Sequence, residues 1–349
     1  MRVHGVSTWA ESGSGRCTEK KTRRTIITWI ASTTPAAGAG AVPEQGLSRQ
    51  AEQPSLFLWD VIAASPNRFL GRAFVQAYVC HCGVLLKLLD TAERLNVQVH
   101  PDRFAARRLW DSSYGKTECW HFLPGRTIDG KPPVFYMGLR EHVTLADFWR
   151  AFESGDSGQL LSCMYAFEAS PGQTVLVESG VPHALGAGCF ALEIQEPSDL
   201  TLRLERRTAS GSVVPDEICH LGIGYDAMFS LIRCDHLSRE QLLQKYVMEP
   251  KPLYEWPNGR IIRLVDDAAC PYFQMDRVEV VSCLDFPAPA QFYGLFVLQG
   301  KGQLLCKDRH FPLFPGEQFF VPADCPAIRL SADESLSVIR FSGPQAPVR

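Results

Sequence analysis

Between Leu95 and Leu123 the chain reads LNVQVHPDRFAARRLWDSSYGKTECWHFL, in which polar and apolar residues alternate at both ends of a polar connection. A period of two is the signature of a half-buried strand, so this stretch is confined to two short strands and the loop between them. Gln98 and His100 then project from one face while Val97 and Val99 pack on the other. Proline at position 101 stops the first strand and biases His100 towards an extended backbone, so the imidazole stands at a strand end, facing a cavity. On the second strand Glu118, Trp120 and Phe122 share a face. A carboxylate between large apolar neighbours needs a partner, and a metal ion would supply one. Short motifs such as Gln-x-His recur by accident, and a lone His or Glu beside a strand is more often an ordinary core or surface residue. The downstream His183 strengthens the metal reading: it follows Pro182 in a glycine-flanked turn and can hang over a cavity.

The rest of the chain bounds the answer. With 349 residues, 46% hydrophobic and 21% charged, it is long enough for two core-forming units and is neither disordered nor fibrous. A net charge of -3 and a pI near 6.3 leave no basic field for nucleic acid; the pairs Arg107-Arg108 and Arg206-Arg207 are too small to make one. Twelve cysteines are spread singly, Cys80 and Cys82 apart, without CxxC pairs, as expected of reduced thiols in a cytoplasmic protein. The best apolar run, Gly83 to Leu89, is short and broken by Lys87, so no membrane span is expected.

Taken in order, residues 1–24 are expected to be irregular, and Thr25 to Ile30, TIITWI, to form a strand. A short helix is expected from an N-cap at Ser55, with Leu56, Trp59 and Ile62 at helical spacing, ending before Pro66. Val84 to Leu89 reads as a strand whose Lys87 is either buried against an anionic partner or snorkels at an edge. Asp102 to Trp110 reads as a turn or two of helix. Thr144 to Ser154 reads as a capped helix with Leu145, Phe148, Trp149 and Phe152 on its core face. Gln159 to Ala169, Gln173 to Glu178, Cys189 to Gln195 and Leu200 to Glu205 read as strands, the last carrying Arg203 on the face opposite Leu202 and Leu204. Ser238 to Tyr246 reads as a small helix. FYGLFVLQGKGQLL and LFPGEQFFVPAD, beyond Phe292, have the strand and turn rhythm of a small jelly-roll barrel; His310 is its only histidine, too few ligands for a second metal.

At QVHPD, GKTECW, VPHALGAG, EIQ and SDLTLR, in this order, the sequence resembles the type I mannose-6-phosphate isomerases, in particular the short bacterial form. The resemblance spans roughly Thr28 to Phe341. It implies a mainly β fold of two cupin (jelly-roll) barrels with a few short helices. A metal-binding cupin with small helical insertions would occupy 25–210, a connecting segment 211–260, and a C-terminal cupin-like barrel without metal 261–349. It further implies one zinc ion on Gln98, His100, Glu118 and His183, an active-site arginine at Arg203, and polar active-site positions at Lys116, Asp199 and Lys87. The implied reaction interconverts mannose 6-phosphate and fructose 6-phosphate through an enediol. A cation held by two neutral imidazoles, a neutral amide and one carboxylate keeps most of its charge and can act as a Lewis acid; iron, manganese or cobalt would also suit the spacing. Arg203 would bind the enediolate oxygens or the phosphate, or else pair with Asp199 or Glu205. Lys116 would carry a proton or bind phosphate, and Lys87 would bind substrate. Asp199 would be the base or would orient Arg203. The family's Glu-x-Trp segment aligns with Ile27-Thr28-Trp29, where the acid is missing. Two other readings stand beside the isomerase: an iron cupin dioxygenase, since one His-Gln-Glu-His cluster on a barrel could bind iron and oxygen, and, prompted by the missing acid, a sugar-phosphate-binding cupin with impaired catalysis.

Overall fold

The computed structural model describes residues 1–4, 6–10, 25–36, 44–78 and 80–346. The strands form three antiparallel sheets, of seven, five and ten strands among the described residues, and the helices are short. The fold is mainly β, as expected.

The period-two alternation explains how the sheets stack. In the seven-stranded sheet the inner strand Glu118–Leu123 lies between Thr174–Val177 and Phe190–Gln195, and Leu85–Asp90 and Thr25–Ile30 follow. Residues of one parity, Trp120, Phe122, Val175, Ala191 and Leu89, pack against Phe135, Met137, Phe167 and Leu185 of the five-stranded sheet. The opposite parity, Cys119, Leu176, Leu192 and Ile194, packs against Ile262, Met275, Ile339 and Phe341 of the ten-stranded sheet. A strand buried on both faces has no solvent side, which is why Glu118–Leu123 is almost wholly buried. The outer face of the five-stranded sheet is covered by helix Leu145–Ser154, whose Phe148 and Phe152 meet Val97, Val99, Leu202 and Leu204.

The ten-stranded sheet closes a core of its own around Val278, Leu295, Phe319, Leu330 and Val338. Its two longest strands, Tyr293–Cys306 and Ile328–Ser342, are bent by register shifts near Gly300. Gly300 has φ +86°, and a Cβ there would lie 2.0 Å from the Ser335 carbonyl oxygen, so the bend requires glycine.

Several expectations are corrected. The segment read as irregular contains strand Arg2–His4, paired with Gln318–Val321, and strand Val6–Ala10, paired with Thr25–Ile30. Residues 11–24 lie outside the described residues. The helix expected from Ser55 starts later, at Leu58, with Phe57 at its N-cap and no side-chain cap bond. Leu58 and Ile62 are its buried pair, while Leu56 and Trp59 face out at 38% and 43% exposure. The first half of the strand expected from Gln159 is helix Ser157–Ser162, because the Asp156 carboxylate accepts from the amides of Gly158 and Gln159 and caps it. Only Leu202–Arg203 of the strand expected over Leu200 to Glu205 joins a ladder. Residues 211–260 include helices Asp216–His220 and Tyr225–Phe229, and strand Lys251–Trp256 pairs with Gly259–Val265 in a hairpin. No helix among the described residues is long and apolar enough to cross a membrane.

Candidate metal centre and active site

Strand Gln98–Val99 is paired on both sides, and its register sets Gln98 opposite both His183 and Arg203. Directly opposed residues of an antiparallel ladder present their side chains on the same face, so these three issue from one row. Their neighbours Val97, Val99, Ala184 and Leu202 turn the other way into the helical layer. His100 follows immediately, tethered by the Gly180 amide donating to its carbonyl at 2.8 Å.

His100, Glu118 and His183 converge, each at most 1% exposed, with one ligand atom apiece mutually within 4.8 Å. The tautomers follow from the partners. Nδ1 of His100 lies 3.0 Å from the Leu200 carbonyl oxygen and Nδ1 of His183 2.8 Å from that of Val181. A carbonyl only accepts, so each Nδ1 carries the proton and each Nε2 presents a lone pair to the cluster. Glu118 Oε2 is 3.2 Å from His100 Nε2, and Glu118 Oε1 is 3.4 Å from His183 Nε2. Oε1 of Glu118 and Nε2 of His183 are both buried without a hydrogen-bond partner. Two such acceptors facing each other are unfavourable unless something positive joins them, and a donor set of imidazole nitrogens and a carboxylate oxygen fits a divalent cation.

The Lys116 ammonium stands beside this group, ion-paired with Glu118 and 2.9 Å from His100 Nε2. Burial and then the Lys116 charge push the His100 imidazole down to about 3, which keeps it neutral. Burial would raise the Glu118 carboxyl, but Lys116 and His100 outweigh it and hold the group well below the usual carboxylate range. Burial would lower the Lys116 ammonium, and Glu118 and Glu193 outweigh that, leaving it raised.

Lys87 is 6% exposed, which removes the snorkelling alternative. Its ammonium donates to Gln195 Oε1 at 2.7 Å, lies 3.4 Å from Glu193 and 4.0 Å from Asp199, and sits 4.7 Å from the centre of the Trp29 ring. The register places Gln195 opposite Glu118 and Glu193 opposite Trp120, so the lysine group and the His-Glu-His group share one sheet face. Arg203 is half-buried and donates to the Ile218 carbonyl at 3.1 Å. Burial lowers its guanidinium, and the Asp199 charge works against that. Glu205 is not its partner: both Glu205 oxygens are taken by Arg94, at 2.6 and 2.7 Å, and Oε2 also accepts from the Val97 amide.

Sequence reasoning gave no role to Glu193, Gln195 or Glu196. Glu193 and Gln195 were within reach, since alternate residues of EIQ share a face. Glu196 binds Arg103 and the Thr117 amide, which steadies the backbone between Lys116 and Glu118. Ile27, two residues before Trp29, packs against the apolar core between the seven- and five-stranded sheets, so this position offers no carboxylate.

By its architecture the chain is a phosphomannose isomerase fold. The solved mannose 6-phosphate isomerase from Bacillus subtilis superposes with a TM-score of 0.73 at 20% identity, over 97% of this chain and 99% of that one. In sequence the chain is 29% identical over 240 residues to the probable mannose-6-phosphate isomerase GmuF of Bacillus subtilis (strain 168), covering 69% of each. It is 24% identical over 242 residues to mannose-6-phosphate isomerase ManA of the same organism, 68% of this chain and 69% of the relative. No family model matches the chain. The resemblance read from the motifs is thereby borne out.

Proposed function

We propose that this chain is a mannose-6-phosphate isomerase, interconverting mannose 6-phosphate and fructose 6-phosphate through an enediol with the help of one divalent cation, zinc by its donor set. The observation that carries the reading is the pair of buried, unpartnered atoms, Glu118 Oε1 and His183 Nε2, 3.4 Å apart beside the Lys116 ammonium. His100, Glu118 and His183 would hold the ion, with Gln98 from the same row as the fourth donor. The ion's contribution is Lewis-acid stabilisation of negative charge on the substrate oxygens.

The remaining steps belong to the side chains. Aldose-ketose exchange removes a proton from one carbon and returns one to its neighbour, so the site needs a carboxylate or amine within reach of both and cations where oxygen becomes negative. Arg203 offers a planar fork to the enediolate oxygens or the phosphate. Lys116, whose ammonium form is favoured, donates a proton or a point charge. Lys87, steadied by Gln195, Glu193 and Trp29, faces the anionic end of the substrate. Asp199, between Lys87 and Arg203 in charge, is the candidate base or the residue that orients Arg203.

Ile27 in place of the acid supports a second reading, a protein that binds the sugar phosphate without turning it over. The iron dioxygenase reading lacks an account of the three cations, which suit an anionic substrate. Metal analysis of the purified protein with a coupled assay on mannose 6-phosphate separates them. Turnover without oxygen consumption selects the isomerase, binding without turnover the second reading, and oxygen uptake the third.

A further inference from the structure

Far along the chain from the candidate metal centre, two thiols of the ten-stranded sheet meet. Cys306 ends strand Tyr293–Cys306, and Cys325 lies in the turn between strands Gln318–Val321 and Ile328–Ser342; their sulfurs are 3.8 Å apart. Among the described residues no other two cysteine sulfurs are in such contact. Both side chains are half-buried on the wall of a cavity of about 410 Å³, which they share with Leu304, Phe311, Lys307 and Arg309. A small oxidant can therefore reach them.

The placement is asymmetric in a useful way. Cys306 is held in ladders on both sides, opposite Arg309 and Ile328. Cys325 stands outside any ladder, its amide bonded only across the turn to the Pro322 carbonyl at 3.0 Å. A disulfide requires the sulfurs at roughly 2.05 Å, and the turn residue can supply the approach without breaking a sheet hydrogen bond.

We infer that Cys306 and Cys325 form a reversible disulfide, a redox-sensitive staple across this cavity. With a hydroperoxide as oxidant, the first thiolate attacks the peroxide oxygen and becomes a sulfenic acid, releasing the alcohol or water. The second thiol attacks that sulfur and expels water, so two thiols lose two electrons and two protons while one O–O bond is cleaved. The linkage closes a loop containing strands Arg309–Leu313 and Gln318–Val321, which removes freedom from the unfolded chain and stabilises this sheet.

The test uses the full chain, reduced, freed of reductant, treated with hydrogen peroxide, alkylated and digested. The expected result is a peptide pair joined through Cys306 and Cys325, lighter by two hydrogens and restored by dithiothreitol, with a melting temperature a few degrees above that of the reduced protein. Cys306→Ser and Cys325→Ser should each abolish the joined peptide and the rise; Cys325→Ala serves if the serine variant folds poorly. Recovery of both cysteines as alkylated thiols, or as separately oxidised sulfinic acids, overturns the inference.

Discussion

Oε1 of Glu118 and Nε2 of His183 face each other at 3.4 Å inside the protein, each without a hydrogen bond. Their backbones come from different sheets, so this approach exists only because the two sheets stack through Trp120, Phe122 and Phe135.

The pair predicts linkage between metal and stability. A divalent cation that binds the folded chain alone should raise its unfolding free energy by about 2.7 kcal/mol at a concentration 100-fold above the dissociation constant. His183→Ala should abolish both the metal content, read by elemental analysis, and the metal-dependent shift in melting temperature. Its circular dichroism should remain that of the parent. A variant that still binds one equivalent of metal with unchanged affinity would refute the ligand assignment.

Arg203 tests the electrostatics of turnover. Arg203→Lys retains the charge and loses the fork, so if the guanidinium acts on charge that develops in the transition state, kcat should fall by roughly 10²-fold or more with a smaller change in KM. Loss of apparent affinity with kcat unchanged would mean that Arg203 only grips the substrate. Steady-state kinetics on mannose 6-phosphate distinguishes the two.

Glu205 tests the scaffold beneath the site. It is 4% exposed, binds Arg94 through both oxygens and accepts from the Val97 amide next to Gln98. Glu205→Ala strands a largely buried guanidinium and should cost about 3–5 kcal/mol in urea unfolding. Replacing both partners, Glu205→Leu with Arg94→Met, should recover much of that loss.

His121 predicts acid sensitivity. It is 1% exposed, hydrogen-bonded to the Thr174 hydroxyl at 2.9 Å, and burial pushes its imidazole from 6.5 down to about 4. The unfolded chain takes up this proton near 6.5 while the folded chain resists until about 4. Between those values acidification favours the unfolded state, by on the order of 3 kcal/mol in total, with no further loss below. His121→Gln should lessen the dependence of the urea midpoint on pH across this window, leaving the part contributed by buried His81 and His100.

What the sequence determined by itself was local. The alternation in TIITWI and TECWHFL, the strand end before Pro101, and the capped helices after Thr144 and Ser238 follow from residue chemistry within a few positions, and the structure has them. The parity that turns Glu118 inward with Trp120 needs no partner to be read. Which groups meet was decided by the tertiary structure. Lys87 finds Gln195 and Glu193, Arg94 finds Glu205, and strand Arg2–His4 joins Gln318–Val321, all across more than a hundred residues. Such pairings depend on sheet order and register, and those are set by the total burial of three stacked sheets, a quantity that no short window of sequence contains.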